Sequence, residues 1–84
     1  MTVAVFITTS AQKEVDGLPA TVQARVAAKV VELARYPTVS NIKALKGSLK
    51  GQHRARIGDY RIIFTVSGET LTITRVVIRG GAYD

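Results

Sequence analysis

Apolar positions in this chain follow two different periods. Val3 to Ile7 is a continuous β-branched and aromatic run, which predicts a strand. Further on, Val22, Val26, Val30 and Leu33 recur at spacings of four and three, with Gln23, Arg25, Lys29, Glu32 and Arg35 between them. That spacing predicts an amphipathic helix with one apolar stripe. A shorter helix precedes it. Thr8, Thr9 or Ser10 can cap its start, and with Thr9 as the cap Gln12 stands at the capping-box position. It ends around Gly17. Pro19 suits the first turn of the second helix, and Pro37 stops that helix by disfavouring helical backbone at the residue before it.

Thr38 to Gln52 shows neither period and reads as a flexible basic loop. Its "LKGSLKG" is too short to be a repeat architecture and lacks the spacing of a phosphate-binding Walker loop. Three strand-like runs follow: His53–Ile57, Tyr60–Val66 and Thr70–Ile78. Gly58-Asp59 and Gly68-Glu69 separate them, and two-residue turns containing glycine are strong hairpin signals. The expected fold is a single α+β domain over residues 1–84. It begins with a strand, continues through a helical hairpin, and ends in an antiparallel three-strand meander (βααβββ) with both helices on one face of the sheet.

The first hairpin turn fixes a register. With Gly58 and Asp59 at the turn, Ile57 opposes Tyr60, Arg56 opposes Arg61, and Arg54 opposes Ile63. Faces alternate along each strand. Ala55, Ile57, Tyr60, Ile62, Phe64 and Val66 therefore form the bed for the helices. Arg54, Arg56 and Arg61 share the opposite face, expected to be uncovered. Like charges directly opposed are unfavourable, a conflict that sequences keep mainly where function requires it. A cluster of guanidinium groups suits phosphate, which each can bind through two hydrogen bonds. Without a ligand these arginines would serve solubility, a task lysine and glutamate do equally well. The second hairpin sets Val66 against Leu71 and Phe64 against Ile73. Continued unbroken, that parity sends Arg75 to the helix side; a bulge near residue 74 turns it outward, or it lies at the rim.

Composition narrows the functional classes. The net charge of +6 is uneven: residues 1–42 hold four cations and three acids, and residues 43–84 hold eight cations and three acids. A basic C-terminal half with clustered arginines points to nucleic acid or an acidic protein partner. Lys46 and Lys50 in the basic loop are further candidates for contacts to a phosphate backbone. No apolar run reaches the roughly 20 residues of a membrane-spanning helix, and the N-terminus reads as a strand rather than a signal peptide. With no cysteine, one histidine and few carboxylates, the chain offers no metal-ligand set. No disulfide can form. A cytoplasmic location is expected.

"LKG" at Leu45–Gly47, "HRARIGDYRIIF" at His53–Phe64 and "RVVIRGGAYD" at Arg75–Asp84 carry a family resemblance. Together with the helical hairpin and its Leu-Pro joint, they resemble the RelE/ParE superfamily of toxins from type II toxin–antitoxin modules. The resemblance covers almost the whole chain, and its most specific part is the R-x-G-D-Y-R run. At the C-terminus Arg75, Arg79 and Tyr83 stand at the family's spacing, but Ile78 occupies a position where members often carry histidine, and Gly80-Gly81-Ala82 replaces a more charged stretch.

The resemblance implies a ribosome-dependent messenger-RNA endonuclease that needs no metal or other cofactor. In that chemistry the RNA 2′-hydroxyl attacks the adjacent phosphate. By family position Arg61 becomes the main transition-state cation. Arg54 and Arg56 bind the backbone, Arg79 adds a cation, and Tyr83 stacks on a base or takes part in proton transfer; Arg75, Lys46 and Lys50 are RNA-binding candidates. His53 falls on the core face and reads as structural. The implied partners are an acidic cognate antitoxin, the ribosome and messenger RNA, with no membrane. Two alternatives remain: a ParE-like inhibitor of DNA gyrase, and a non-catalytic RNA- or protein-binding module.

Overall fold

The computed structural model describes residues 3–39, 41–47 and 50–78. Arg79 and Tyr83 lie outside the described residues. The elements are β1 (Ala4–Ile7), α1 (Thr9–Asp16), α2 (Ala20–Leu33), β2 (Ile42–Ala44), β3 (Gln52–Ile57), β4 (Tyr60–Ser67) and β5 (Thr70–Ile78). They form an α+β fold around one five-stranded sheet of order β1-β5-β4-β3-β2. β1 runs parallel to β5, and the other neighbours are antiparallel.

Both hairpin registers follow from their turns. Ile57 pairs with Tyr60 and Arg56 with Arg61; Ser67 pairs with Thr70 and Phe64 with Ile73. A register shift then sets Ile63 against Arg75 and leaves Thr74 as the extra residue of a bulge. The bulge reverses the parity of the rest of β5, so Val76 enters the core. β2 is an addition to the expected meander. Ile42, Lys43 and Ala44 pair with Ala55, Arg54 and His53, in a segment whose sequence reads as loop. A strand of three residues is too short to show a period.

Of the three residues able to cap α1, Thr8 does so, its hydroxyl oxygen accepting the Ala11 N–H at 3.1 Å. No capping box forms, since Gln12 donates instead to Asp16 Oδ1 at 2.8 Å. Pro19 is the N-cap residue of α2, and the Gln23 side chain satisfies the Leu18 carbonyl beside it at 2.9 Å. Val26 and Leu33 are buried among Ala55, Ile62, Phe64, Leu71 and Ile73, with Val22 and Val30 packed at the margin. Burying each such aliphatic side chain contributes roughly 1.5–3 kcal/mol.

Lys29 departs from the polar side expected of it. It falls three residues after Val26 and four before Leu33, on the apolar stripe, and is buried. Its ammonium reaches Glu32 Oε2 at 2.8 Å, so the stem lies under the helix while the charge turns to the rim. No helix among the described residues is long and apolar enough to cross a membrane.

Candidate nucleic-acid interface

The sheet face opposite the helices carries the cations in two rows. Lys43, Arg54, Ile63 and Arg75 are successive cross-strand partners in one row. Arg56, Arg61 and Val77 form the next. The Arg56 N–H donates to the Asn41 carbonyl at 3.2 Å, which extends that row beyond β2. Lys43 went unnoticed in the sequence because its strand did.

This face is not uncovered, contrary to expectation. Arg61 is 4% exposed and Arg54 9%, whereas Arg56 is exposed. Ile63, in the row with Arg54, is fully buried yet outside the helix-side core cluster. β3 and β4 are interior strands, so long side chains at their centre lie over neighbours on both sides. An apolar residue in the same row makes covering that centre favourable. Arg61 also folds back on its own turn, its Nη1 donating to the Gly58 carbonyl at 3.3 Å and the Tyr60 carbonyl at 3.2 Å. Its orientation is therefore set before any ligand arrives.

The turn itself is tightly built. Gly58 has φ +59°, a left-handed backbone, and a Cβ there would lie 3.0 Å from Arg25 Nη1. Arg25, expected on the polar side of α2, thus rests its guanidinium against the β3–β4 turn. On the β2 side of the sheet, Asn41, Ile42, Lys43, Arg54 and Arg56 line an open concavity of about 340 Å³. Lys46 and Lys50 are exposed on the β2–β3 connection and do not line it.

Residues 5–83 match the family model described as the ParE toxin of type II toxin–antitoxin systems, parDE. This chain belongs to that toxin family. It is 31% identical to the toxin RelE of Mycobacterium tuberculosis, over 94% of this chain and 84% of that protein. The crystal structure of the toxin–antitoxin complex RelBE2 from the same organism contains a chain that superposes with a TM-score of 0.85 at 30% identity, covering 94% of this chain and all of that one. The archaeal RelE–RelB complex of Pyrococcus horikoshii OT3 gives a TM-score of 0.80 at 29% identity, covering 98% of this chain and all of the other. The protein is a RelE-like member of the RelE/ParE superfamily.

Two further residues of this toxin are settled by their contacts. His53 stacks on Phe64, with ring centroids 5.3 Å apart, and its Nε2 lies 3.3 Å from the Tyr36 hydroxyl. It belongs to the helix side of the sheet, away from the arginines. Arg75 lies at the rim, neither in the core nor in the concavity. Its Nε donates to Glu14 Oε2 at 3.0 Å and Oε1 at 3.3 Å, and its Nη2 lies 3.0 Å from Oε2. Glu14 drew no attention in the sequence, because a single glutamate on a short helix has no motif to mark it.

Proposed function

We propose that this toxin cuts messenger RNA on the ribosome, and that the arginine rows hold the scissile region of the strand. The observation that carries this reading is Arg61: a desolvated guanidinium, oriented by two turn carbonyls, directly opposite Arg56. Preorganised charge in a low-dielectric site stabilises developing negative charge more strongly than charge in water does.

In the proposed reaction the RNA 2′-oxygen forms a bond to the adjacent phosphorus while the bond to the 5′-oxygen breaks. The 2′-hydroxyl gives up its proton and the leaving oxygen gains one, so the products are a cyclic phosphate and a free 5′-hydroxyl. Arg61 neutralises the pentavalent phosphate. Arg54 and Arg56 hold the backbone, and Lys43 joins them through the shared concavity. Arg79 adds a cation, and Tyr83 stacks on a base or takes part in proton transfer. An arginine stays protonated at neutral pH and is a poor general base. His53 is committed to Tyr36 and Phe64 and is not assigned that role. Arg61 is 4% exposed in the free toxin, so RNA binding requires its guanidinium to become accessible.

The partner proposed for the free toxin is an acidic antitoxin; the RelBE2 and archaeal RelE–RelB relatives are toxin–antitoxin complexes. A gyrase inhibitor is the second reading, favoured by the match to the ParE family model. Induced expression followed by mapping of messenger-RNA ends, with DNA-damage signalling in parallel, separates the two. New 5′-hydroxyl ends within translated regions are expected. Damage signalling with intact messages would overturn the nuclease reading.

A further inference from the structure

β5 is held by two strands along its first half and by one along its second. Its pairing with β1 ends at Ile7 opposite Ile73, and the Thr74 bulge follows at once. From there to Ile78 no described strand lies on its outer edge. A one-residue slip would send every side chain of this segment to the other face. Val77, the partner of Arg61, lies within it, and Arg79 follows directly in the chain.

α1 occupies the place that β1 leaves. The Thr8 N–H donates to the Ile73 carbonyl at 3.0 Å, and the Thr8 hydroxyl lies 3.5 Å from the Thr74 carbonyl. Six residues further on, Glu14 accepts the Val76 N–H on Oε1 at 2.9 Å while both its oxygens receive Arg75 Nε. A single carboxylate thus binds the backbone just past the bulge and the side chain beside it. Hydrogen bonds to a charged acceptor are stronger and more directional than neutral ones. The ion pair is partly exposed, with side chains 45% and 28% accessible, and such pairs contribute little to stability. What the contact supplies is register.

We propose that Glu14 is a positioning residue: it locks the bulged half of β5 so that Val77 stays beside Arg61. Glu14 itself touches no RNA. The catalytic part of this inference rests on the nuclease reading; the register part does not. Small displacements of reacting groups cost on the order of a hundredfold in rate.

The test uses the full-length toxin with Glu14→Ala, Glu14→Gln and Arg75→Ala, alone and combined. Amide hydrogen exchange at Val76 reads the register, and cleavage on translating ribosomes reads the rate. Glu14→Ala is expected to stay folded, lose protection at Val76, and lower kcat by on the order of ten- to a hundredfold with KM unchanged. Glu14→Gln keeps an acceptor for the Val76 N–H and should recover much of both. Arg75→Ala should cost less in the Glu14→Ala background than in the parent, because the pair acts as a unit. Unchanged Val76 exchange in Glu14→Ala would overturn the register role. Lost protection with an unchanged kcat, or a change confined to KM, would overturn the positioning role. If the parent cleaves no RNA, the nuclease reading falls, and the exchange measurement still decides whether Glu14 holds β5.

Discussion

Gly58 and Gly68 sit at equivalent places in the two hairpins, with φ of +59° and +58°. They differ in what surrounds them. A methyl group at Gly68 meets open space, whereas at Gly58 it meets the Arg25 guanidinium at 3.0 and 3.2 Å. Left-handed backbone costs a non-glycine residue roughly 1–2 kcal/mol. Gly68→Ala should lose about that much in urea unfolding. Gly58→Ala should lose more, unless Arg25 swings away at no cost, in which case the two variants will unfold alike. At this scale the sequence revealed residues whose neighbours are set by a turn. It hid those whose neighbours come from another element. Arg56 opposite Arg61 follows from counting outward from Gly58-Asp59. The contacts of Glu14 with β5 and of Arg25 with Gly58 depend on how helices lie over strands, and no spacing encodes that.

Among the elements, the hairpin strands were readable because a two-residue turn sets both their ends and their faces. β2 was not, because three residues carry no alternation and its strand character comes from its partner β3. α2 shows the same division. Its Val22, Val26 and Leu33 mark the buried stripe, yet Lys29 shares that stripe, and only the aliphatic length of lysine makes this possible. Val26 is 3% exposed and packed in the main cluster. A carboxylate there is desolvated, and the cation at helical spacing from it, Lys29, is already paired with Glu32 at 2.8 Å, so Val26→Asp should abolish the cooperative thermal transition. A Val26→Asp protein that melts like the parent would mean that α2 does not pack as described.

Across the whole molecule, charge and apolar surface are segregated. The helices take the apolar side of the sheet, and the second half of the chain concentrates cations on the other. Such a distribution accelerates the approach of an acidic partner and is screened by salt. The association rate with the proposed acidic antitoxin should therefore fall steeply as ionic strength rises. A salt-independent rate would show that apolar docking governs the encounter. The fold and its family were legible in the sequence because the most specific run, Arg54 to Phe64, is also the central hairpin. The covering of the arginine face was not: the register places Ile63 beside Arg54, but counting along the strands does not show how closely neighbouring side chains close over Arg54 and Arg61.

The most direct test is the rate of messenger-RNA cleavage on translating ribosomes by Arg61→Ala. Removing one preorganised electrostatic group typically costs a hundredfold to a thousandfold, or roughly 3–4 kcal/mol. Arg61 also satisfies two turn carbonyls from a buried position, so the variant should lose about 1–3 kcal/mol of stability as well. The comparison must be made on folded protein, with antitoxin binding as the check. Lys13→Ala, an exposed change on α1, should cleave at the parent rate. The account predicts a folded Arg61→Ala toxin that binds its antitoxin and cleaves at least a hundredfold more slowly. Cleavage by that variant at the parent rate would contradict it.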